Sequence, residues 1–165
     1  MVLTEIFDNV SNIADLSHYH VETAQVRSDD LAKKILRVTS DHGRDYDIRI
    51  SDEAQLENGS AFEVGDHKLL VLSVIPDEVI VIAPNGIDQM GVIAHMLGNL
   101  HKPIEVKDGT ITLLRDPVVE QTLAQQHVDF SIQKRTLDHA MRYAQLGGHV
   151  HEHDHHHGHA HGTNE

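Results

Sequence analysis

The chain has 165 residues, of which 39% are hydrophobic, a formal net charge of −13 with histidine neutral, and no cysteine. The lack of cysteine excludes disulfides, thiolate zinc sites, iron–sulfur clusters and thiol nucleophiles, so any metal ion must be held by nitrogen and oxygen ligands. The acidic balance argues against a nucleic-acid partner, and without a signal sequence or an apolar stretch of membrane-spanning length we expect a cytoplasmic protein with no membrane partner.

The N-terminal half is predicted to be a small all-β domain spanning residues 1–75. Short apolar runs alternate there with turn residues such as Gly43, Asn58 and Gly59, which accept the positive φ of tight turns. Ser28 is expected to cap a short helical turn. Strands are expected at residues 21–26, 35–39, 46–50, 61–64 and 68–75.

After Pro76 the pattern predicts a second domain, over residues 76–148, that contains both helices and strands. Apolar residues recur at helical spacing over residues 87–97, and Gly98 is expected to end that helix in the left-handed conformation. The pair Asp116-Pro117 is expected to open a second helix. Strands are expected at residues 78–83, 104–106, 110–114 and 130–133.

The order of these elements is β-α-β-β-α-β, which is typical of a ferredoxin-like domain. In that fold two helices cover one face of a four-stranded antiparallel sheet. Together with the all-β domain before it, this order predicts an α+β chain. Residues 134–146 are expected to form an amphipathic segment, and Gly147-Gly148 a flexible joint.

The C-terminal residues 149–165 carry the strongest metal-binding signal. They contain eight of the 16 histidines, namely His149, His151, His153, His155, His156, His157, His159 and His161. Neutral imidazole is a good ligand for divalent nickel, copper and zinc. A polar tract without apolar periodicity cannot offset its ordering entropy, so we expect a disordered, metal-capturing tail. An added purification tag is the alternative, but acidic and small residues interrupt the tract and others follow it.

His101 is the second candidate ligand, because it lies in a loop just past the end of the first predicted helix. One histidine is a poor site, but a twofold dimer that places His101 against its symmetry mate doubles the number of ligands. An ordinary surface histidine is the alternative. His95 precedes it on the helix, at a spacing that does not by itself place both on one face. We interpret the remaining histidines as isolated non-ligands: His18, His20, His42, His67, His127 and His139.

Catalytic motifs are not found in the sequence. The chain lacks a phosphate-binding P-loop and a Gly-x-Ser-x-Gly elbow. The tail comes near the His-x-His-x-Asp-His arrangement of binuclear hydrolases, but Asp154 lies one position late and no buried strand precedes it. We therefore expect a binding protein and not an enzyme.

The segment Gly98-Asn99-Leu100-His101-Lys102-Pro103, the His-rich tail and the two-domain order resemble the urease accessory protein UreE family. The likeness extends to the N-terminal half, through residues 29–43 and Glu57-Asn58-Gly59. The family motif is usually Gly-Asn-Arg-His, and Leu100 stands here in place of the arginine. This difference leaves the histidine intact, while the apolar Leu100 cannot supply the positive charge of an arginine.

The resemblance implies a nickel-binding metallochaperone that donates Ni(II) during assembly of the urease metallocentre. It implies a cytoplasmic homodimer in which both copies of His101 face each other across a nickel site, tail histidines add ligands, and a urease accessory GTPase and apo-urease are partners. Ni(II) is the expected cargo, while nitrogen ligands also accept Zn(II) or Cu(II) in vitro. The alternative is a cytoplasmic nickel or zinc buffering or storage protein without a delivery partner.

Overall fold

A computed structural model describes residues 1–142 of the chain. The eight predicted tail ligands from His149 to His161 therefore lie outside the described residues. So do the predicted joint Gly147-Gly148 and the end of the predicted amphipathic segment.

Two sheets form an N-terminal unit. Its strands are β1 (Val2–Leu3), β2 (Asp8–Asn9), β3 (His20–Val26), β4 (Ile35–Thr39), β5 (Asp45–Arg49), β6 (Ser60–Gly65) and β7 (Lys68–Val74). They pair in the orders β1-β5-β4 and β2-β6-β7-β3, with parallel pairing of β1 with β5 and of β3 with β7. Short 3-10 helices lie at Val10–Asn12, Leu16–His18 and Ser28–Ala32.

The main core of this unit lies between its two sheets. Ile48 from one sheet packs with Phe62, Leu70 and Leu72 from the other, and all are at most 2% exposed. The opposite face of β6 and β7 is buried too, because Leu69 and neighbouring residues pack beneath the segment that carries the first two 3-10 helices. Burial on both faces explains why β7 reads as a continuous apolar run instead of an alternating one.

The C-terminal unit has its own core. Its elements are β8 (Asp77–Ile82), α1 (Ile87–Asn99), β9 (Glu105–Lys107), β10 (Thr110–Leu114), α2 (Pro117–Gln125) and β11 (Ser131–Arg135). The strands pair antiparallel in the order β11-β8-β10-β9. Ile93 and Leu97 of α1 and Val119 and Leu123 of α2 pack with Ile80 of the sheet. No helix within residues 1–142 is long and apolar enough to cross a membrane.

The last strand extends two residues into the predicted amphipathic segment, so the predicted boundary at residue 134 is wrong. Lys134 and Arg135 continue β11, because they lie opposite Glu78 and Asp77 of β8 as cross-strand charge pairs. Residues 136–142 contain no helix or strand.

Residues 136–142, which we call the return segment, lead back to the N-terminal unit. The backbone N–H of Asn58 donates to the carbonyl of Asp138 at 2.9 Å. Ala140 packs against the main core of the N-terminal unit, and His139 Nδ1 lies 3.9 Å from a carboxylate oxygen of Glu57. The two units are therefore joined by packed contacts as well as by the covalent link between β7 and β8.

The predicted cap at Ser28 is also wrong in detail. The short helix Ser28–Ala32 is of the 3-10 type, and its N-cap is Arg27. The backbone N–H of Arg27 donates to the Asp30 carboxylate at 3.2 Å, so the side chain that stabilises this helix start comes from within the first turn.

Candidate metal centre

His101 lies in the turn that ends α1, directly after the C-cap residue Leu100. Its φ is 53°, in the left-handed region. The backbone N–H of His101 donates to the carbonyl of Gly98 at 2.9 Å, and that of Lys102 donates to the carbonyl of Leu97 at 3.2 Å. These two bonds form a Schellman motif, which fixes the backbone of His101 while its side chain stays exposed.

The prediction that Gly98 ends α1 in the left-handed conformation is wrong. Gly98 lies inside the helix, and the positive φ occurs at His101 instead. A left-handed backbone costs an L-residue roughly 1–2 kcal/mol, which is why this position usually holds glycine. His101 therefore occupies a strained position at the surface of the C-terminal unit.

The second helix ends in the same way. His127 follows the C-cap of α2 with a φ of 55°, and its backbone N–H donates to the carbonyl of Ala124 at 3.1 Å. The N–H of Val128 donates to the carbonyl of Leu123 at 2.9 Å. Because both helices share this ending, backbone strain by itself does not show which of the two histidines is a metal ligand. His127 is instead a matched control for His101.

The residue after His101 attaches this turn to the start of α2. The ammonium group of Lys102 forms an ion pair with the carboxylate of Asp116, the N-cap of α2. Asp116 also accepts hydrogen bonds from the backbone N–H of Val118 at 2.8 Å and of Val119 at 3.2 Å. Lys102 and these two N–H groups hold the pKa of Asp116 below its usual range. The carboxylate is thus ionised at neutral pH and holds the turn in place.

The side of α1 that faces solvent combines exposed apolar residues and glycines with polar residues such as Asp88. Ile87 is 85% exposed and Val92 is 69% exposed. Gly91 and Gly98 are also exposed, and a Cβ added to either would meet nothing within 4 Å. His95 is exposed on the same helix. Small residues allow close approach of another backbone, so this face offers a contact surface next to His101.

A second group of potential ligands lies in the N-terminal unit. His20 and Glu22 are on one face of β3, since side chains two residues apart on a strand point the same way. The turn between β4 and β5 places His42 beside them. One ligand atom from each of the three residues lies within 4.8 Å of the others, and the two imidazole centroids are 5.1 Å apart. Both histidines are exposed, whereas Glu22 is 0% exposed.

Glu22 is held by polar partners despite its burial. The hydroxyls of Ser40 and Tyr46 donate to its Oε2 at 2.8 Å and 3.0 Å, and the guanidinium of Arg44 pairs with Oε1. Burial acts to raise the pKa of Glu22, but these hydrogen bonds and the charge of Arg44 outweigh it and hold the pKa below its usual range. The cluster therefore contains a buried, ionised carboxylate.

From the sequence, His20 and His42 are interpreted as isolated residues, and the structure instead brings them together. The alternation of His20 and Glu22 on a strand was the available signal. The contact with His42 depends on a tertiary bond, because the Asp41 carboxylate accepts from the backbone N–H of Thr23 at 2.9 Å. Three other predicted non-ligands lie beside carboxylates and are not members of this cluster: His18 near Asp15, His67 near Asp66 and His139 near Glu57.

Two family models match the chain. The N-terminal domain of the UreE urease accessory protein matches residues 3–74, and the C-terminal domain of that protein matches residues 77–162. The chain belongs to the UreE family. The family predicted from the sequence is therefore confirmed, and it implies a role in urease maturation. It is a family of accessory proteins, not of catalysts.

Individual relatives agree with this family assignment. The chain is 48% identical over 151 residues to the urease accessory protein UreE of Streptococcus vestibularis. It is 36% identical over 152 residues to that of Geobacillus kaustophilus. Each of these alignments covers 92% of this chain and 100% of the relative. The urease accessory protein UreE of Staphylococcus carnosus is 33% identical over 153 residues.

Proposed function

We propose that this protein binds Ni(II) in the cytoplasm and donates it during assembly of the urease metallocentre. The observation that carries the proposal is His101, whose imidazole is exposed on a backbone fixed by the Schellman motif in a chain of the UreE family. A fixed backbone limits the reorganisation needed to bind an ion, and an exposed side chain lets the ion reach a partner.

The nickel site proposed here belongs to a homodimer. One imidazole cannot hold an ion tightly, so His101 needs further ligands, and twofold symmetry supplies a second His101 without any additional residue. The exposed face of α1, with Ile87, Val92 and the two glycines, gives a second copy a surface on which to pack. We further propose that histidines between His149 and His161 add ligands to this site and raise the number of ions carried.

The proposed partners are a urease accessory GTPase and the apo-urease complex. The chain has no phosphate-binding P-loop, so any nucleotide-driven step has to come from a partner. Transfer then proceeds by ligand exchange from the His101 pair to a site of higher affinity on that partner. Ni(II) is cargo in this scheme, and the same imidazoles also accept Zn(II) or Cu(II).

We also propose that the two units are separate domains, of residues 1–75 and 76–148, and that the second is ferredoxin-like. The separate apolar cores support the division. The element order β8-α1-β9-β10-α2-β11 and the sheet order β11-β8-β10-β9 support the ferredoxin-like assignment, since the third strand of the unit lies between the first and second.

The test combines nickel titration with urease activation. His101→Ala is expected to abolish the tightest nickel-binding event, of about one ion per two chains, whereas the matched variant His127→Ala leaves it unchanged. His101→Ala combined with asparagine in place of the eight tail histidines is expected to abolish activation of urease at limiting nickel. Unchanged nickel binding and urease activation in the combined variant would refute the proposal. Lost nickel binding with normal activation would instead indicate storage.

A further inference from the structure

The cluster of His20, Glu22 and His42 offers three donors of the type that borderline divalent metal ions accept. Two imidazoles and one carboxylate on one side of an ion leave its remaining positions open to water or another ligand. The ligand atoms lie within 4.8 Å of one another, wider than the roughly 3.3 Å expected around an ion with bonds of about 2.0–2.1 Å. Because the His20 imidazole is exposed, it can rotate and narrow this separation while His42 stays beside Asp41.

His42 has a carboxylate partner that can set its tautomer. Its Nδ1 lies 2.9 Å from the Asp41 carboxylate, so a proton on Nδ1 is shared with Asp41 and the lone pair of Nε2 is left free. The same carboxylate is anchored by the backbone N–H of Thr23 on β3. Metal-binding histidines usually have this kind of carboxylate partner, which fixes the tautomer and the ring direction.

Glu22 is fixed from the other side. Ser40 and Tyr46 donate to one oxygen, and Arg44 pairs with the other. A carboxylate offers about four acceptor positions, so these three partners leave one position on Oε1, next to the Arg44 guanidinium. A divalent cation bound there meets the positive charge of Arg44 unless that side chain moves. Arg44 is the exchangeable partner, because its side chain is 54% exposed whereas Ser40 and Tyr46 are buried.

We propose that His20, Glu22 and His42 form a metal site in the N-terminal unit for a divalent ion such as Ni(II) or Zn(II), which displaces Arg44 from Glu22. The ion replaces the positive charge that the buried carboxylate requires, and the two imidazoles complete three ligands. Lys68, the neighbour of His20 in the register of β3 and β7, is exposed and can turn into solvent. The site is separate from His101 and does not depend on delivery to urease.

The test uses the full-length chain in a background without the other proposed ligands. In this background asparagine replaces His101, His149, His151, His153, His155, His156, His157, His159 and His161. Calorimetric titration with Ni(II) and, separately, with Zn(II) is expected to detect about one ion per chain. His20→Ala and His42→Ala are each expected to weaken that affinity at least about tenfold.

His18→Ala is the matched control, because His18 is exposed and lies 3.0 Å from Asp15 much as His42 lies beside Asp41. It is expected to leave the affinity unchanged. The proposal is overturned if the background chain binds neither ion, or if His18→Ala weakens binding as much as His42→Ala. Such a result leaves the proposed His101 site intact, because the background chain lacks it.

Arg44→Gln tests the displacement directly. Removing the competing guanidinium is expected to raise the affinity for Zn(II) several-fold, and Zn(II) is expected to raise the Tm of this variant more than that of the background chain. A lower affinity in Arg44→Gln, with circular dichroism unchanged, would show that Arg44 supports the site instead of competing for it, which contradicts the proposal.

Discussion

Replacing His101 by glycine is expected to stabilise the metal-free fold while removing nickel binding. The left-handed backbone costs an L-residue roughly 1–2 kcal/mol. Glycine avoids this cost but loses about 0.5–1 kcal/mol more conformational entropy on folding than alanine does. The difference predicts a gain in the free energy of unfolding of up to about 1.5 kcal/mol. For a chain of this length, each kcal/mol raises the Tm by roughly 2–4 °C.

The measurement is thermal or urea unfolding of metal-free protein, paired with nickel titration of the same samples. His127→Gly is the control, since His127 has a φ of 55° against 53° for His101 and the same pair of backbone bonds. Both variants are expected to gain similar stability, and only His101→Gly is expected to lose the tightest nickel-binding event. A loss of more than about 1 kcal/mol in either variant would refute the strain argument, because relief of backbone strain cannot destabilise the fold.

Two further substitutions test the turns and caps described above. Gly59→Ala is expected to lower the free energy of unfolding by about 1–3 kcal/mol, because φ is +87° and the new Cβ would lie 2.8 Å from Asn9 Oδ1. Gly43→Ala is the control, since φ is +72° but a Cβ there meets nothing within 4 Å. It is expected to lower the free energy of unfolding by less in the same urea titration. Asp116→Ala is expected to cost about 1–2 kcal/mol near neutral pH, because it removes the cap of α2 and the partner of Lys102. The folded state lowers the pKa of Asp116, so the ionised carboxylate stabilises the fold above the unfolded pKa of about 3.9, and this stabilisation is lost as the pH falls through the lower folded pKa. The stability difference between the parent protein and Asp116→Ala should therefore shrink in acid. A difference that grows in acid would contradict this account.

Local signals predicted the elements that local chemistry determines. Asp116 and Pro117 mark the start of α2 because an acceptor side chain and a fixed φ act within one turn. The strands predicted on either side of Asp108 and Gly109 are joined by a tight turn in which these residues have φ of 49° and 73°. These features depend on neighbouring residues alone, so periodicity and turn chemistry are sufficient to find them.

Features that depend on distant contacts were not predicted. The sequence predicts the end of α1 at Gly98 because glycine is the usual left-handed residue. The helix instead continues to Asn99, and the turn after it is held to the distant Asp116 by the ion pair of Lys102. The grouping of His20 and His42 requires the packing of one sheet on the other, which no pattern within either strand contains. The position of His101 as a candidate ligand was predictable, because its place after a helix could be read from the sequence.

The return segment has a consequence for how the chain acquires its structure. Ala140 packs against a core built otherwise from residues between Leu3 and Val74, and Asp138 provides the acceptor for the backbone N–H of Asn58. During synthesis, the part made first therefore stays incomplete until residue 140 has left the ribosome. Contacts that complete the N-terminal unit are thus made by residues that are synthesised after the whole C-terminal unit, and folding of the two units is coupled in time.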